Sequence, residues 1–300
     1  MGRGPLPLRE AVSAASNGGL QARRRALHWG LRLGAQGAAA AFVGCAGLLN
    51  AQEAPRGPEA TPRLPDATPR PPEGGPQANQ RPSEGGLQQR QFSGRALHAE
   101  TGQWLYTELH QQQLRGGRWV AGTIRYVSPQ GLLLGEKKLD FGKDRFVPLM
   151  RTVYPTLGEE EAIVQVGEAT VTMETANKAG QRKTREVARV AGLAVDSGFH
   201  VFLQDRLEEL ATGRTVQMQL GVISQFDHFR FRIRRAEATQ GSVLRLVVEP
   251  DSMLRLLVPP VKLAYDLRSR DMLEYEGLSN LVDPQTRKAP VVRITYDYSG

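Results

Sequence analysis

The sequence predicts a mainly β protein in which a long curved antiparallel sheet, a half-barrel or clam, packs on one principal α-helix. Two observations predict this class. Residues 92–300 contain many short runs of alternating polarity separated by turn residues, and a single apolar run there has clear helical spacing. A doubly wound α/β enzyme needs helices alternating with parallel strands, so the pattern excludes that architecture.

The first strands are predicted to form a meander joined by short turns. Arg115-Gly116-Gly117-Arg118 supplies two glycines for a hairpin, and Ser128-Pro129-Gln130-Gly131 supplies a second turn. Asn177-Lys178-Ala179-Gly180 is predicted to be a third. The predicted strands in this part are residues 104–110, 119–127, 132–141, 162–175 and 182–190.

One helix is predicted over residues 198–212. Its apolar residues recur at steps of three and four, which places them on one face that must be buried. Ser197 is predicted to cap the start, and Gly213 suits the position just after the end. The apolar residues that define the face are Phe199, Phe202, Leu203, Leu207 and Leu210.

Six more strands are predicted after the helix. In residues 214–222, Val216, Met218 and Leu220 alternate with polar residues, which is typical of a sheet with one buried and one wet face. The others are predicted at residues 226–235, 243–249, 261–267, 273–279 and 291–298.

The apolar faces of the helix and the sheet predict where a ligand would lie. Neither face can remain in water, so the two must meet, either around a ligand or filled by their own side chains. The candidate ligand-binding residues of this interface are Phe199, Phe202, Leu203, Val216, Met218 and Leu220.

A row of arginines is the second candidate binding feature. Arg230, Arg232 and Arg234 alternate with Phe229, Phe231 and Ile233, so the cations share one face of a strand. They are candidates for binding an anionic head group. The alternative is cross-strand pairing with acids on a wet sheet face.

Residues 100–298 resemble a known architecture. The resemblance rests on this strand order and on Leu263-Ala264-Tyr265-Asp266 and Tyr275-Glu276-Gly277-Leu278-Ser279-Asn280. The chain resembles the half-barrel of periplasmic lipoprotein carriers and of uncharacterised bacterial envelope proteins. That resemblance implies an envelope protein and supplies no catalytic motif.

Common catalytic patterns are missing from the sequence. It contains no Gly-x-Ser-x-Gly, no phosphate-binding Gly-x-x-x-x-Gly-Lys-Ser/Thr, no His-Glu-x-x-His and no paired cysteines. Asp196-Ser197-Gly198 is interpreted as the start of the helix. We therefore expect a protein that is not an enzyme and uses no cofactor and no metal.

The N-terminal segment predicts export. Arg23, Arg24 and Arg25 precede a weakly apolar run over residues 33–49, as in a signal peptide spanning residues 1–51. Cleavage after Ala51 would release a soluble protein. Alternatively, Phe42-Val43-Gly44-Cys45 resembles a lipobox, in which Cys45, the one cysteine of the chain, would be lipidated.

Residues 52–91 are predicted to be a disordered linker. They hold nine prolines and five glycines, and no aromatic residue. Their charges cancel, and residues 1–51 carry +5 of the chain's net +8, so the folded domain is only weakly basic and nucleic-acid binding is not expected. No stretch after residue 51 could span a bilayer, which leaves a signal or lipid anchor as the membrane attachment.

Together these features predict a periplasmic or outer-membrane-associated protein. Its function is expected to be non-catalytic binding of an apolar or amphiphilic ligand such as a lipid. The alternative is a structural or assembly protein of the envelope with a self-filled core, which would contact another envelope protein.

Overall fold

The computed structural model describes residues 86–252, 255 and 258–299. The predicted signal peptide, Cys45 and residues 52–85 of the predicted linker lie outside these residues. Within them the chain forms one fifteen-stranded sheet and two short helices, which confirms the mainly β fold class.

The strands follow one another in chain order as β1 (Leu87–His98), β2 (Trp104–Arg115), β3 (Arg118–Val127), β4 (Leu133–Asp140), β5 (Leu149–Tyr154), β6 (Glu159–Val166), β7 (Thr170–Ala176), β8 (Arg182–Ala188), β9 (Leu193–Val195), β10 (Val216–Val222), β11 (Asp227–Arg235), β12 (Val243–Pro250), β13 (Val261–Asp266), β14 (Met272–Leu278) and β15 (Val291–Asp297). The helices are α1 (Gly198–Gln204) and α2 (Leu207–Ala211), and Ile223–Gln225 forms a 3-10 turn.

The sheet has two meanders that meet at the first and last strands. Strands β1 to β8 follow one another in space, as do β15 down to β9, and β1 pairs with β15. Every pairing is antiparallel except that of β9 with β10.

The sheet curls until its two ends approach each other. The Ile223–Gln225 turn contacts β6 and β7. A Cβ on Gly221 of β10 would lie 3.2 Å from the methyl carbon of Met173 on β7 and only 2.6 Å from Val195. A residue without a side chain is therefore needed where these elements meet, and the curled sheet encloses an interior.

The predicted helix is in fact broken in two. Arg206 leaves the helical conformation with φ −121° and ψ 7°. Its guanidinium donates to the carbonyl oxygen of Phe202 at 3.1 Å and lies 3.6 Å from the centre of the Phe202 ring. The side chain thereby donates to a carbonyl oxygen that would accept from a backbone N–H in a continuous helix. Ser197 is the N-cap residue of α1 as predicted, but its side chain makes no capping hydrogen bond.

Several strand boundaries also differ from the prediction. Residues 162–175 are two strands, β6 and β7, because Gly167 and Thr170 close a turn through a 2.9 Å backbone hydrogen bond. Strand β1 begins at Leu87, so residues 87–91 are strand rather than linker. They pair with residues 111–115 of β2, which satisfies their backbone groups. Strands β1, β5 and β9 were not predicted.

Two buried apolar clusters flank the interior. One lies mainly on β1 to β7 and includes Ile124, Met150, Ile163 and Met173. The other joins both helices to β10 to β13. The predicted packing of helix on sheet is present in this second cluster.

Candidate functional site

A cavity of about 160 Å³ lies in the interior of the curled sheet. That volume is close to the roughly 150 Å³ of an engineered protein cavity that accepts benzene. Side chains from most of the sheet and from α1 form its wall. They are Phe92, Glu108, His110, Gln112, Trp119, Ile124, Tyr126, Lys137, Tyr154, Glu161, Val195, Asp196, Ser197, Phe199, His200, Leu220, Val222, Ile223, Met272, Tyr275, Asn280, Tyr296 and Tyr298, with Gly221.

Strand β2 presents polar residues to this cavity. Glu108 and His110 point inward because they alternate with the outward Leu109, which is 40% exposed. The Nε2 atom of His110 lies 3.0 Å from Oε2 of Glu108. Oε1 of Glu108 and Nδ1 of His110 are buried and have no hydrogen-bond partner.

A glycine allows Tyr296 to reach this acid. Tyr296 on β15 and Glu108 on β2 both face Gly94 of β1. The hydroxyl of Tyr296 donates to Oε2 of Glu108 at 3.1 Å. A Cβ on Gly94 would lie 2.6 Å from the Tyr296 ring, so the ring can cross β1 only because that position has no side chain.

A buried ion pair forms another part of the wall. The Nζ atom of Lys137 on β4 donates to both carboxylate oxygens of Asp196, at 2.8 and 2.7 Å. Burial is the largest single influence and lowers the pKa of Lys137, but the combined effects of Asp196, Tyr154 and Glu108 outweigh it, so the pKa of Lys137 is raised. The Ser197 hydroxyl also donates to Asp196, at 2.8 Å.

Glu161 is a third buried acid on the wall. It projects inward from β6, is 5% exposed, and its Oε1 has no hydrogen-bond partner. Burial, together with the negative charges of Asp196 and Glu159, raises the pKa of Glu161 to about 8, against the opposing effect of Lys137. The group is therefore mostly protonated at neutral pH.

Tyrosines supply much of the remaining wall. Burial raises the pKa of Tyr126, Tyr154, Tyr275 and Tyr296, so their hydroxyls stay neutral. The hydroxyl of Tyr275 donates to the carbonyl oxygen of Leu278 at 2.7 Å. These rings give the cavity aromatic faces between its polar groups.

His200 of α1 lines the cavity and packs against Tyr265 of β13. Nδ1 of His200 lies 2.8 Å from the hydroxyl of Tyr265, and the two rings stack. Burial is the main cause that lowers the pKa of His200 to about 4, so the ring is neutral at pH 7. Nearby, Arg90 of β1 forms a bidentate pair with Asp271, at 2.8 and 2.6 Å.

Some of the predicted apolar binding residues line the cavity, and the others are packed in the second apolar cluster. Phe199 and Leu220 line the cavity. Val216 belongs to the second apolar cluster and does not line the cavity. Phe202, Leu203 and Met218 are also in that cluster and are at most 1% exposed. The contact between the helices and β10 is thus filled by the protein's own side chains.

The arginine row lies on the outer face of β11 and is paired with acids. Arg230 pairs with Asp251 at 2.9 Å, while Arg232 and Arg234 both pair with Glu249, at 2.8 and 3.2 Å. This is the cross-strand arrangement that the sequence offered as the alternative to head-group binding.

Five polar cavity residues were not predicted from the sequence: Glu108, His110, Lys137, Glu161 and Asp196. The available signal was strand β2, where Tyr106, Glu108, His110 and Gln112 share a face with no apolar contrast to the opposite face. Among the described residues, no three His, Cys, Asp or Glu side chains are grouped so that they could hold a metal ion.

No family model matches the chain, and no curated protein matches it in sequence. The fold is similar to that of a solved β-barrel-like protein of a domain of unknown function from Brucella abortus. That similarity has 6% sequence identity and a TM-score of 0.34, and it covers 71% of this chain and 98% of the other. The likeness is one of general β-barrel-like architecture. It identifies no family and carries no argument about function.

No helix in the described part of the chain is both long and apolar enough to cross a membrane.

Proposed function

We propose that this chain is an exported envelope protein, periplasmic or outer-membrane-associated, that binds a small amphiphilic molecule in the cavity of its curled sheet without transforming it. Export rests on the arginine-led apolar run before residue 51. Binding rests on the geometry of the cavity.

The observation that carries the proposal is the pairing of an aromatic wall with unsatisfied buried polar atoms. Oε1 of Glu108, Nδ1 of His110 and Oε1 of Glu161 are buried without partners on the wall of one cavity. Such atoms are costly to leave unpaired, at about 1–3 kcal/mol each. An occupant with a polar end and an apolar body would satisfy these atoms and cover the rings.

Mass spectrometry of the full chain under native conditions, followed by denaturing extraction, tests the proposal. We expect a small molecule to leave the protein on extraction. Ile124→Phe narrows the cavity from β3 and should reduce the amount that copurifies. Leu109→Phe, on the outer face of β2, is the matched control and should leave it unchanged.

Two outcomes would contradict the proposal. One is a wild-type protein that carries no small molecule and binds none from an extract of envelope lipids and metabolites. The other is equal ligand content in both variants, with unfolding free energies confirming that both are folded.

A structural or assembly role is the second candidate, and one observation favours it. The protein's own side chains fill the contact between the helices and β10 to β13, which is where the sequence predicted a ligand. In that case the wild type would release no ligand, and a second envelope protein would copurify with it.

A further inference from the structure

Two of the unsatisfied atoms of the cavity lie close together on β2, one on Glu108 and one on His110. In the neutral tautomer whose Nε2 donates to Glu108, Nδ1 of His110 carries no proton and accepts a hydrogen bond. Oε1 of Glu108 is a carboxyl oxygen on the same strand, two residues away. Both atoms are buried and unpartnered, so an occupant must bring donors to them.

Many hydrogen-bond donors of the wall already donate to acceptors within the protein. The ammonium of Lys137 donates to both carboxylate oxygens of Asp196. The hydroxyl of Tyr298 donates to the carbonyl oxygen of Met272, at 2.9 Å. Nε1 of Trp119 donates to a backbone carbonyl oxygen at 2.8 Å, as does the hydroxyl of Tyr275 at 2.7 Å. Tyr298, Trp119 and Tyr275 are not available to an anionic occupant without loss of an internal hydrogen bond, whereas the Lys137 ammonium retains one N–H.

The composition of the wall also favours a cationic occupant. Asp196 on the wall is already paired with the ammonium of Lys137, and Glu161 is mostly protonated at neutral pH, which leaves Glu108 as the acid for a cationic occupant. Phe92 stacks on the His110 ring with centroids 4.3 Å apart, which places an aromatic ring beside the free acceptors. Aromatic faces and carboxylates both attract cations.

We propose that the cavity binds a small organic cation, a protonated amine on a benzene-sized apolar group, whose ammonium donates to Oε1 of Glu108 and Nδ1 of His110. This inference rests on the proposed binding function and names the ligand class for the same site. The apolar group lies among the tyrosine rings, in a volume suited to one six-membered ring.

Three probes that share one ring test the inference: benzylammonium, benzyl alcohol and benzoate. Their binding to the full chain is measured by isothermal titration calorimetry at pH 7. We expect benzylammonium to bind at least about tenfold tighter than benzyl alcohol, since it adds a charge-assisted hydrogen bond in a buried site. Benzoate should bind most weakly.

Glu108→Gln removes the acid while keeping its size. It should reduce benzylammonium affinity about tenfold or more and leave benzyl alcohol affinity nearly unchanged. Glu136→Gln is the matched control, because Glu136 lies on the outer face of β4 next to Lys137 and does not line the cavity. If Glu108→Gln does not fold, the ranking of the three probes on the wild type still decides the question.

The failures of the two proposals are distinguishable. If benzyl alcohol or benzoate binds as tightly as benzylammonium and Ile124→Phe weakens that binding, the cation inference is wrong and the cavity still binds ligands. If none of the probes binds, the cation inference is overturned. If in addition no small molecule copurifies with the chain, the binding function is wrong as well.

Discussion

Lys137 and Asp196 form a buried bidentate ion pair between β4 and the residues that precede α1. The Lys137 side chain is 4% exposed and the Asp196 side chain 20%. Asp196 adopts a left-handed backbone conformation with φ 51°, which Asp and Asn tolerate better than most residues. The pair therefore fixes the start of α1 against the interior of the sheet.

Removing one partner of this pair should be costly. We expect Asp196→Asn to destabilise the protein by about 3–5 kcal/mol, because it leaves the more deeply buried cation without its anion. Lys137→Met should cost less, since Asp196 retains some contact with solvent. The double variant should cost less than the sum of the two single changes, as measured by urea unfolding in a double-mutant cycle. Additive costs would show that the pair is not coupled.

Glu161 should make the protein less stable as the pH rises. In the unfolded chain its carboxyl titrates near 4.5, whereas in the folded protein burial raises its pKa to about 8. Between these values the folded state holds a proton that the unfolded state has lost, so stability falls by up to about 1.4 kcal/mol per pH unit. Glu161→Gln should remove this slope, and the outer-face variant Glu136→Gln should keep it, when unfolding free energies are compared from pH 5 to 8.

His200 should make the protein less stable as the pH falls. Its ordinary pKa of 6.5 is lowered to about 4 in the folded protein, chiefly by burial. As the pH falls from about 6.5 to 4, the unfolded chain binds a proton that the folded protein excludes, and stability is lost. His200→Phe should remove this loss of stability at acidic pH. Tyr265→Phe removes the hydrogen bond but keeps the buried imidazole, so this variant should still lose stability as the pH falls.

Phe202→Ala should destabilise the protein by about 3–5 kcal/mol, because this side chain is fully packed and its loss leaves a large cavity. Leu220→Ala should cost less, about 2 kcal/mol, since Leu220 already borders an open volume. Urea unfolding of both variants measures the difference. Equal losses would argue that the cavity beside Leu220 is closed in solution.

Gly94→Ala should destabilise the protein by about 1–3 kcal/mol, because its Cβ would overlap the Tyr296 ring and displace it from Glu108. Tyr296→Phe loses only the hydrogen bond and should cost about 1–2 kcal/mol. Unfolding free energies of the two variants separate the steric effect from the polar one. A neutral Gly94→Ala would contradict the requirement for a close approach.

The fold was predictable where the faces of the strands contrast. Strand β10 has clean alternation of apolar and polar residues, and Gly116 and Gly117 both adopt the positive φ that a tight hairpin favours. The broken helix was not predictable from spacing, because its apolar repeat continues through Arg206. The break coincides with a local contact, in which the Arg206 guanidinium lies over the Phe202 ring and donates to the Phe202 carbonyl oxygen.

The site was harder to predict than the fold. On β2 the usual rule is inverted, since Glu108 lies inside and Leu109 outside. The alternation along β2 places Glu108 and Leu109 on opposite faces but does not tell which face is buried, because a partner of Glu108, Tyr296, is 188 residues away in the chain. Polar cavity groups are defined by such long-range partners, whereas strands and turns are defined by neighbours in sequence.

The pairing of β1 with β15 has a consequence for biosynthesis. The two meanders are joined at this seam in the middle of the sheet, and Gly94 of the first strand lies opposite Tyr296 of the last. The seam cannot form until β15 has been synthesised, so one edge of β1 stays unpaired while all the intervening strands are made. An unpaired strand edge of this kind is where a partly made sheet is exposed to wrong pairing or to a chaperone.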